Sequence, residues 1–428
     1  MEDSGSAAGG HPPEDPSDSV DGSEGRALWR RADRVLPGGG IYLSRSARFA
    51  GSGVLPGFIA EAKGCRVRDA DGRSYVDFIC ANGPNLLGYG HERVEAAFLQ
   101  QAQKPASMNF FSPLLVELAE RLVDRQPGFD WGVVGKTGSE VVTLAGRVAR
   151  QATGRPLIVA FAGAYHGSDP ELALAPPPVG ARGARLEDVV RMPWNDAAAL
   201  LELADRRGEE IAAILLNGLD QNPYQVTRAA APEFIAAIET IRSRRGVAVI
   251  LDDVRHGFRI HPGGSHVALG LSPDLLCLGK GLANGYSVSA MLGRDSLRDA
   301  VRSLVFTSSL HFEQPPMRAA LATLEAYDDE NAFEAMVRAG QRLREGFEQA
   351  AGAMGHALHF SGPVTMPTLL FDDDPKHERI QTFAREAALR GALFHPALNW
   401  FMCAAHDDES IDVALEIVYQ ALSATPAL

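Results

Sequence analysis

Short apolar runs alternate with stretches of helical spacing from residue 114 to about residue 327. The runs cover residues 132–134, 158–161, 213–216, 247–251, 275–278 and 288–292. Continuously apolar strands separated by amphipathic helices predict an α/β unit: a mostly parallel sheet with helices on its faces. Residues 57–77 instead alternate in period two, with turn signals at Lys63-Gly64 and Asp71-Gly72, and predict a small antiparallel unit. Upstream, residues 27–40 predict a helix stopped by Pro37 and the glycines after it. Beyond Glu330 helical spacing returns with two more apolar runs, 368–371 and 392–395. These predict a C-terminal small domain packed with the N-terminal segment. The expected division is a tail over 1–26, an N-terminal segment over 27–100, a large domain over 101–328 and the small domain over 329–428.

Several of these runs end in polar residues of unusual kind. The run at 275–278 stops at Lys280, and the run at 247–251 stops at Asp252. Burial disfavours the charged form of a lysine and makes its amine a nucleophile at neutral pH. A strand-end lysine after a strand-end aspartate suits pyridoxal phosphate: the lysine forms a Schiff base, and the aspartate pairs with the pyridinium nitrogen. A solvated loop lysine is the plain alternative. After the run at 132–134 come Thr137, Gly138, Ser139 and Glu140, then Val141, Leu144 and Val148 at helical spacing. Gly138 and Ser139 thus open a helix whose N–H groups and dipole attract a phosphate, although a Thr-Gly-Ser-Glu start is also an ordinary capping box. Tyr165 follows the run at 158–161 beside glycine, where it can stack on a flat ring or stand as a surface aromatic. Asn217, Gln221 and Asn222 follow the run at 213–216 and can reach a cofactor oxygen or cap the strand. All these residues lie past strand C-termini, where ligand sites of open α/β sheets form.

Over residues 29–422 the chain resembles the class III aminotransferases of fold type I, in the branch of the glutamate-1-semialdehyde 2,1-aminomutases. TGSE, AYHG, LDDVRHGFR, PDLLCLGKGLANG and AAHDDESID occur in the family's order and approximate spacing. The resemblance implies a seven-stranded sheet in the large domain, pyridoxal 5'-phosphate as cofactor and a homodimer with a shared active site. It assigns Lys280 to the Schiff-base lysine, Asp252 to the ring nitrogen, Gly138 and Ser139 to the phosphate, Tyr165 to the ring face and Asn222 to the phenolic oxygen. A phosphate contact crossing the dimer interface falls on Ser309, with Thr307 and Ser308 as competitors. Arg45 aligns with an arginine that holds a substrate carboxylate, as a guanidinium fork does bidentately.

Departures from the family pattern gather at the substrate pocket. Asn217-Gly218 replaces Glu-Pro, and Ala81-Asn82-Gly83-Pro84 replaces Ser-Trp-Gly-Pro, leaving Asn82 where an aromatic wall would stand. Arg255 and His256 bring extra charge. Residues 168–188 are shorter than the aminomutase's gate, and residues 395–401 lack its pocket glutamate. The stretches KGLANGYSVSA and FTSS also resemble aminotransferases that act on amino sugars. The expected activity is ping-pong transamination between an amino-acid donor and a carbonyl acceptor, in a biosynthetic setting. An intramolecular aminomutase, a racemase or decarboxylase, and a non-enzymatic scaffold are the alternatives.

Composition narrows the partners to small molecules. The chain has 428 residues, 46% of them apolar, and a net charge of −13. That sign argues against nucleic acid and anionic membranes. Seven carboxylates fall in the first 25 residues, a stretch rich in Ser, Gly and Pro that is expected to be disordered and lacks a signal peptide's pattern. Cys65, Cys80, Cys277 and Cys403 are scattered without metal spacing, and reduced thiols in a cytoplasmic protein are expected. The histidines show no ligand spacing either and are read as structural.

Overall fold

The computed structural model describes residues 20–36, 52–105, 107–108, 110–169, 171–172 and 186–426. Its centre is a seven-stranded sheet. The strands are β1 (Trp131–Gly135), β2 (Leu157–Phe161), β3 (Val189–Met192), β4 (Ile211–Asn217), β5 (Ala248–Asp252), β6 (Leu275–Leu278) and β7 (Ser289–Gly293). Their spatial order is β1-β7-β6-β5-β4-β2-β3. β7 is antiparallel to both its neighbours, and the other pairs are parallel.

Six strands fall on the predicted apolar runs. The seventh, β3, is half-buried at every position and carries Arg191, so it shows no apolar run; it lies at the sheet edge, where one side needs no cover. The continuous runs are explained by the layers. Val141, Leu144, Ala145 and Val148 of the helix Gly138–Thr153 pack on Ile158, Ala213, Leu215 and Ile250. The alternate residues Ile214, Leu216, Val249 and Leu251 face the other way and join the main core with Phe234 and Ile238 of the helix Pro232–Arg245.

The predicted antiparallel unit is present as Ile59–Lys63, Arg66–Asp69 and Ser74–Asp77. Its turns place Gly64 and Gly72 at φ +59° and +85°, where a β-carbon is disfavoured. A short C-terminal strand, Ala392–Leu393, adds in parallel to Ser74–Asp77 and ties the two ends of the chain together. The helix at the start spans Ser23–Val35. After the C-terminal strand the chain returns to the sheet: Phe401 N–H donates to the Phe78 carbonyl at 2.8 Å, and Ala404 N–H to the Leu86 carbonyl at 2.9 Å. This return segment closes one side of the site described next.

Candidate active site

A cavity of about 640 Å³ opens at the C-terminal ends of β2, β4, β5 and β6. Each strand delivers its first polar residues into the wall: Tyr165 and His166 after β2, Asn217 at the end of β4, Asp252 at the end of β5 and Lys280 after β6. The register explains the convergence, because Asp252 pairs with Asn217 on one side and Cys277 on the other, placing all three strand ends at one level.

Lys280 begins a tight turn, Lys280–Ala283, with φ +43°. A left-handed conformation is strained for a residue with a β-carbon. Burial pulls the Lys280 amine down to about 7, and Arg255 pushes the same way, while Asp252 opposes them. A large fraction of the amine is therefore unprotonated at neutral pH.

Asp252 is buried, and its Oδ2 lies 2.8 Å from Nδ1 of the equally buried His166. Its Oδ1 accepts the Val254 N–H at 3.2 Å. His166 Nε2 is buried and has no partner among the described residues. The neighbouring Asp253 turns away: it accepts the Ser265 N–H at 2.9 Å and the Ser265 hydroxyl. Burial raises the Asp253 carboxyl to about 6 against those two donors. Of two adjacent aspartates, one faces the cavity and the other anchors the helix Ser265–Leu269.

At the opposite end the helix Gly138–Thr153 points its first turn into the cavity. Its capping box is complete: the Thr137 hydroxyl accepts from Glu140 N–H, and Glu140 Oε2 accepts from Thr137 N–H at 2.9 Å. Capping and cavity lining coexist, since Gly138 and Ser139 also form the wall. The Ser139 hydroxyl oxygen accepts the Ser168 N–H at 3.1 Å, which leaves its own hydrogen to donate. A β-carbon at Gly138 would lie 2.7 Å from Val254 Cγ1, so only glycine lets the helix start and Val254 approach this closely beside the cavity. Val254 and Tyr165 are further lining residues; Tyr165 is 58% exposed.

The other expected residues divide. Asn82 lines the cavity at φ +62°. Asn217 lines it and donates to the Asp252 carbonyl at 3.4 Å. Asn222 stands behind the wall, donating to Asp220 Oδ1 at 2.6 Å, and Gln221 occupies the lining position beside it. Thr307, Ser308 and Ser309 are exposed and outside this cavity's lining. Arg45, residues 1–19 of the N-terminal tail and most of residues 168–188 lie outside the described residues; the end of the tail is ordered, contrary to expectation, because Asp21 is buried accepting the Gly57 N–H at 2.8 Å and the first helix begins at Ser23. Where a pocket glutamate was missing from residues 395–401, Leu398 lines the wall.

His166, Gln221, Arg255, Trp194 and His256 also line the cavity, and the family resemblance assigned none of them a role. His166 was read as structural, and only its place next to Tyr165 could have signalled a role. Gln221 was a candidate of open purpose. Arg255 was noted as extra charge: its guanidinium donates to Asn399 Oδ1 and lies 5.4 Å from the Phe401 ring centre, on the return segment. Trp194 follows β3, the one strand of the seven-stranded sheet that was not predicted, and packs edge-on against Phe161 with ring centres 5.5 Å apart. His256 sits deeper. Burial, Arg255 and Lys280 hold its imidazole well below the usual histidine range, and its Nε2 lies 3.0 Å from Gln221 Oε1.

Comparison with known proteins gives a consistent result. Residues 49–422 match the family Aminotransferase class-III. The chain is 36% identical over 406 residues to the aminopentol aminotransferase of Sphingopyxis macrogoltabida, covering 95% of each chain. It is 31% identical to the glutamate-1-semialdehyde 2,1-aminomutase of Thermomicrobium roseum, covering 93% of this chain and 97% of that one. Among solved structures, the pyridoxal-phosphate internal aldimine form of the FumI protein of Sphingopyxis sp. MTA144 superposes with a TM-score of 0.91 at 35% identity, over 94% of this chain and 96% of that one.

Proposed function

The chain belongs to the class-III aminotransferases, and we propose that the cavity at the ends of β2, β4, β5 and β6 is where it carries out its transamination. As a member it uses pyridoxal phosphate and moves an amino group from a donor to a carbonyl acceptor. The observation that supports this location is Lys280: a half-buried amine drawn down to about 7, at the strand end next to Asp252.

The residues present fit the cofactor. Gly138 and Ser139, at the start of a 16-residue helix, offer N–H groups and a hydroxyl donor to a phosphate, and the missing β-carbon at Gly138 lets Val254 pack close against the helix start. Tyr165 and Val254 would cover the ring faces. Asp252, steadied by His166, would hold the ring nitrogen, and Lys280 the aldehyde carbon. When bound, the cofactor supplies that aldehyde and an electron-withdrawing ring. The chain supplies proton movement and positioning. Lys280 Nζ takes a proton from the amino-bearing carbon of the donor and returns it for the acceptor. Phe161, Trp194 and Leu398 line the cavity with apolar surface that excludes water.

We place the third phosphate contact, Ser309 or its neighbours Thr307 and Ser308, in a second copy of the chain. Support comes from the surface around them. Val305 and Leu310 are 74% and 56% exposed, and nearby Phe110 and Phe111 are 80% and 75% exposed. Large apolar side chains gathered this way favour an interface, here of a homodimer. The large and small domains keep their expected bounds in this reading. No helix among the described residues is long and apolar enough to cross a membrane. Four buried free thiols support a cytoplasmic setting.

The aminomutase reading stays as the alternative because several relatives near 31% identity carry that name. A spectral titration of the cofactor-loaded protein with glutamate, alanine and amino sugars separates the two. Transamination converts the yellow cofactor to its aminated form with release of a carbonyl product; an aminomutase binds the amine and releases none. Lys280→Ala should abolish turnover with the fold intact by circular dichroism, and near-normal turnover would refute the location.

A further inference from the structure

We propose that Cys80, Cys403 and His406 form a binding site for a thiophilic d10 cation, Zn²⁺ or Cu⁺, alongside the active-site cavity. The three residues come from opposite ends of the chain and meet where the return segment 395–406 crosses the turn Cys80–Asn82. Their ligand atoms all lie within 4.8 Å of one another, and all three residues are buried. Bonds of about 2.0 Å to nitrogen and 2.3 Å to sulfur put tetrahedral ligand atoms roughly 3.5–4 Å apart. The cluster therefore needs a contraction of only about an ångström. Cys403 Sγ and His406 Nδ1 are already 3.3 Å apart.

Two further observations point to a ligand. His406 is 3% exposed, and its Nε2 has no partner among the described residues. A neutral imidazole that binds an ion through Nδ1 carries its proton on this Nε2. The ring is held in place by stacking on Phe78, with centres 4.6 Å apart and planes 11° apart, while the lone pair of Nδ1 now accepts the Cys403 N–H at 2.9 Å, a bond that the ion would replace. The second observation is backbone strain at the other ligand. Cys80, Ala81 and Asn82 all have positive φ, at +46°, +54° and +62°. None is glycine, so the turn is held against its local preference, and it aims the Cys80 thiol inward. Asp77 pins it there, its carboxylate accepting the Ile79 N–H at 2.8 Å and the Cys80 N–H at 3.1 Å.

The charges suit both ions. Cysteine binds metal as thiolate. Two thiolates neutralise Zn²⁺, so the buried site carries no net charge. With Cu⁺ they leave one negative charge, which faces the buried guanidinium of Arg259; that group acts on both sulfurs. Soft sulfur ligands select these two ions over magnesium, calcium or manganese. Because Asn82 lines the cavity two residues after Cys80, an ion here would fix one wall of the substrate pocket.

The test uses the tag-free, full-length, cofactor-loaded protein from cultures supplemented with zinc or with copper, purified without chelator. Elemental analysis should find about one ion per chain, released by an organomercurial that caps thiolates. The supplement that fills the site identifies the ion. Cys80→Ser and Cys403→Ser should each lose it. Cys65→Ser and Lys280→Ala should both keep it, so the outcome does not depend on the assignment of the cofactor site. Should the serine variants fail to fold, cobalt uptake by the unaltered chain gives an independent reading through a thiolate-to-cobalt absorption band in the near ultraviolet. Metal at trace level only, with Cys80 and Cys403 titrating as free thiols or found as a disulfide in non-reduced peptides, would overturn the proposal.

Discussion

Nδ1 of His166 lies 2.8 Å from Oδ2 of Asp252, and both residues are buried. With the Val254 N–H on the other oxygen, the carboxylate is held from two sides and cannot rotate freely. In the proposed reading His166 touches Asp252 and nothing further along the reaction path, so it is a positioning residue. His166→Phe removes a charge-assisted hydrogen bond of about 1.5–3 kcal/mol. The expected result is a loss in kcat/KM of roughly tenfold to a hundredfold, with weaker retention of the cofactor on dialysis. His166→Gln, which can still donate, should recover part of both. A merely structural role would lower the melting temperature and leave cofactor retention in the folded fraction unchanged.

Lys280 and Arg255 make a pH prediction whose sign follows from the direction of the shift. The folded amine titrates near 7 and the unfolded one near 10.4. Between those values the unfolded chain holds a proton that the folded, cofactor-free chain does not. Stability of the cofactor-free protein therefore rises with pH across that window, as far as this group is concerned. Uptake of pyridoxal phosphate by that protein, followed as yellow colour, should accelerate with pH around a midpoint near 7. Arg255 holds the amine down, so Arg255→Gln should move the midpoint to higher pH. Asp252 opposes it, so Asp252→Asn should move the midpoint lower. An unmoved midpoint in both variants would assign the shift to burial and Arg259.

Gly138 tests the phosphate end. A β-carbon there meets Val254 Cγ1 at 2.7 Å and Cγ2 at 3.1 Å. Either Val254 moves or the helix start does, and both contact the proposed cofactor space. Gly138→Ala should weaken cofactor binding by about tenfold or more, in line with the 1–3 kcal/mol penalty of overpacking. Equilibrium dialysis against pyridoxal phosphate measures this directly. Free inorganic phosphate should protect the unaltered protein against cofactor uptake and protect the variant less.

What the sequence made legible follows from how strongly each element is constrained. Six strands of the sheet were readable because they are continuously apolar, five of them between neighbouring strands and β1 at an edge; β3, at the other edge and half-buried throughout, carries Arg191 and so was not. Lys280, Asp252, Gly138 and Ser139 were visible because each breaks an apolar run or opens a helix. Residues whose part depends on contacts across the fold were not. His166 meets Asp252 from a different strand, Trp194 follows the strand that was missed, and Gln221 rather than Asn222 lines the wall because Asn222 is taken up by Asp220. The cysteines show the same limit. Spacing along the chain finds metal ligands that share a loop, and it cannot find Cys80 and Cys403, which the strand pairing of Ala392–Leu393 with Ser74–Asp77 brings together.

Arg259 carries the clearest stability prediction. It is 1% exposed, and burial lowers its guanidinium from the usual arginine value, yet it remains a cation because that value is so high. Its donors reach the carbonyls of Gly83 and Asn85, at 2.9 and 3.0 Å, and that of Met402. The guanidinium also lies 5.1 Å from the centre of the Phe401 ring. One side chain thus joins the segment after Asn82 to the return segment, adding to the backbone hydrogen bonds from Phe401 to Phe78 and from Ala404 to Leu86. Arg259→Leu would leave three buried carbonyls without donors, each worth about 1–3 kcal/mol if nothing rearranges. A net loss of about 3–5 kcal/mol is expected, the size seen when one partner of a buried charged network is removed. Arg259→Lys, with a single ammonium in place of a fork, cannot span all three carbonyls and should recover less than half of that loss. Chemical denaturation of the cofactor-free protein measures the change, and a loss below about 1 kcal/mol for Arg259→Leu would show that the two segments are held together by their apolar packing instead.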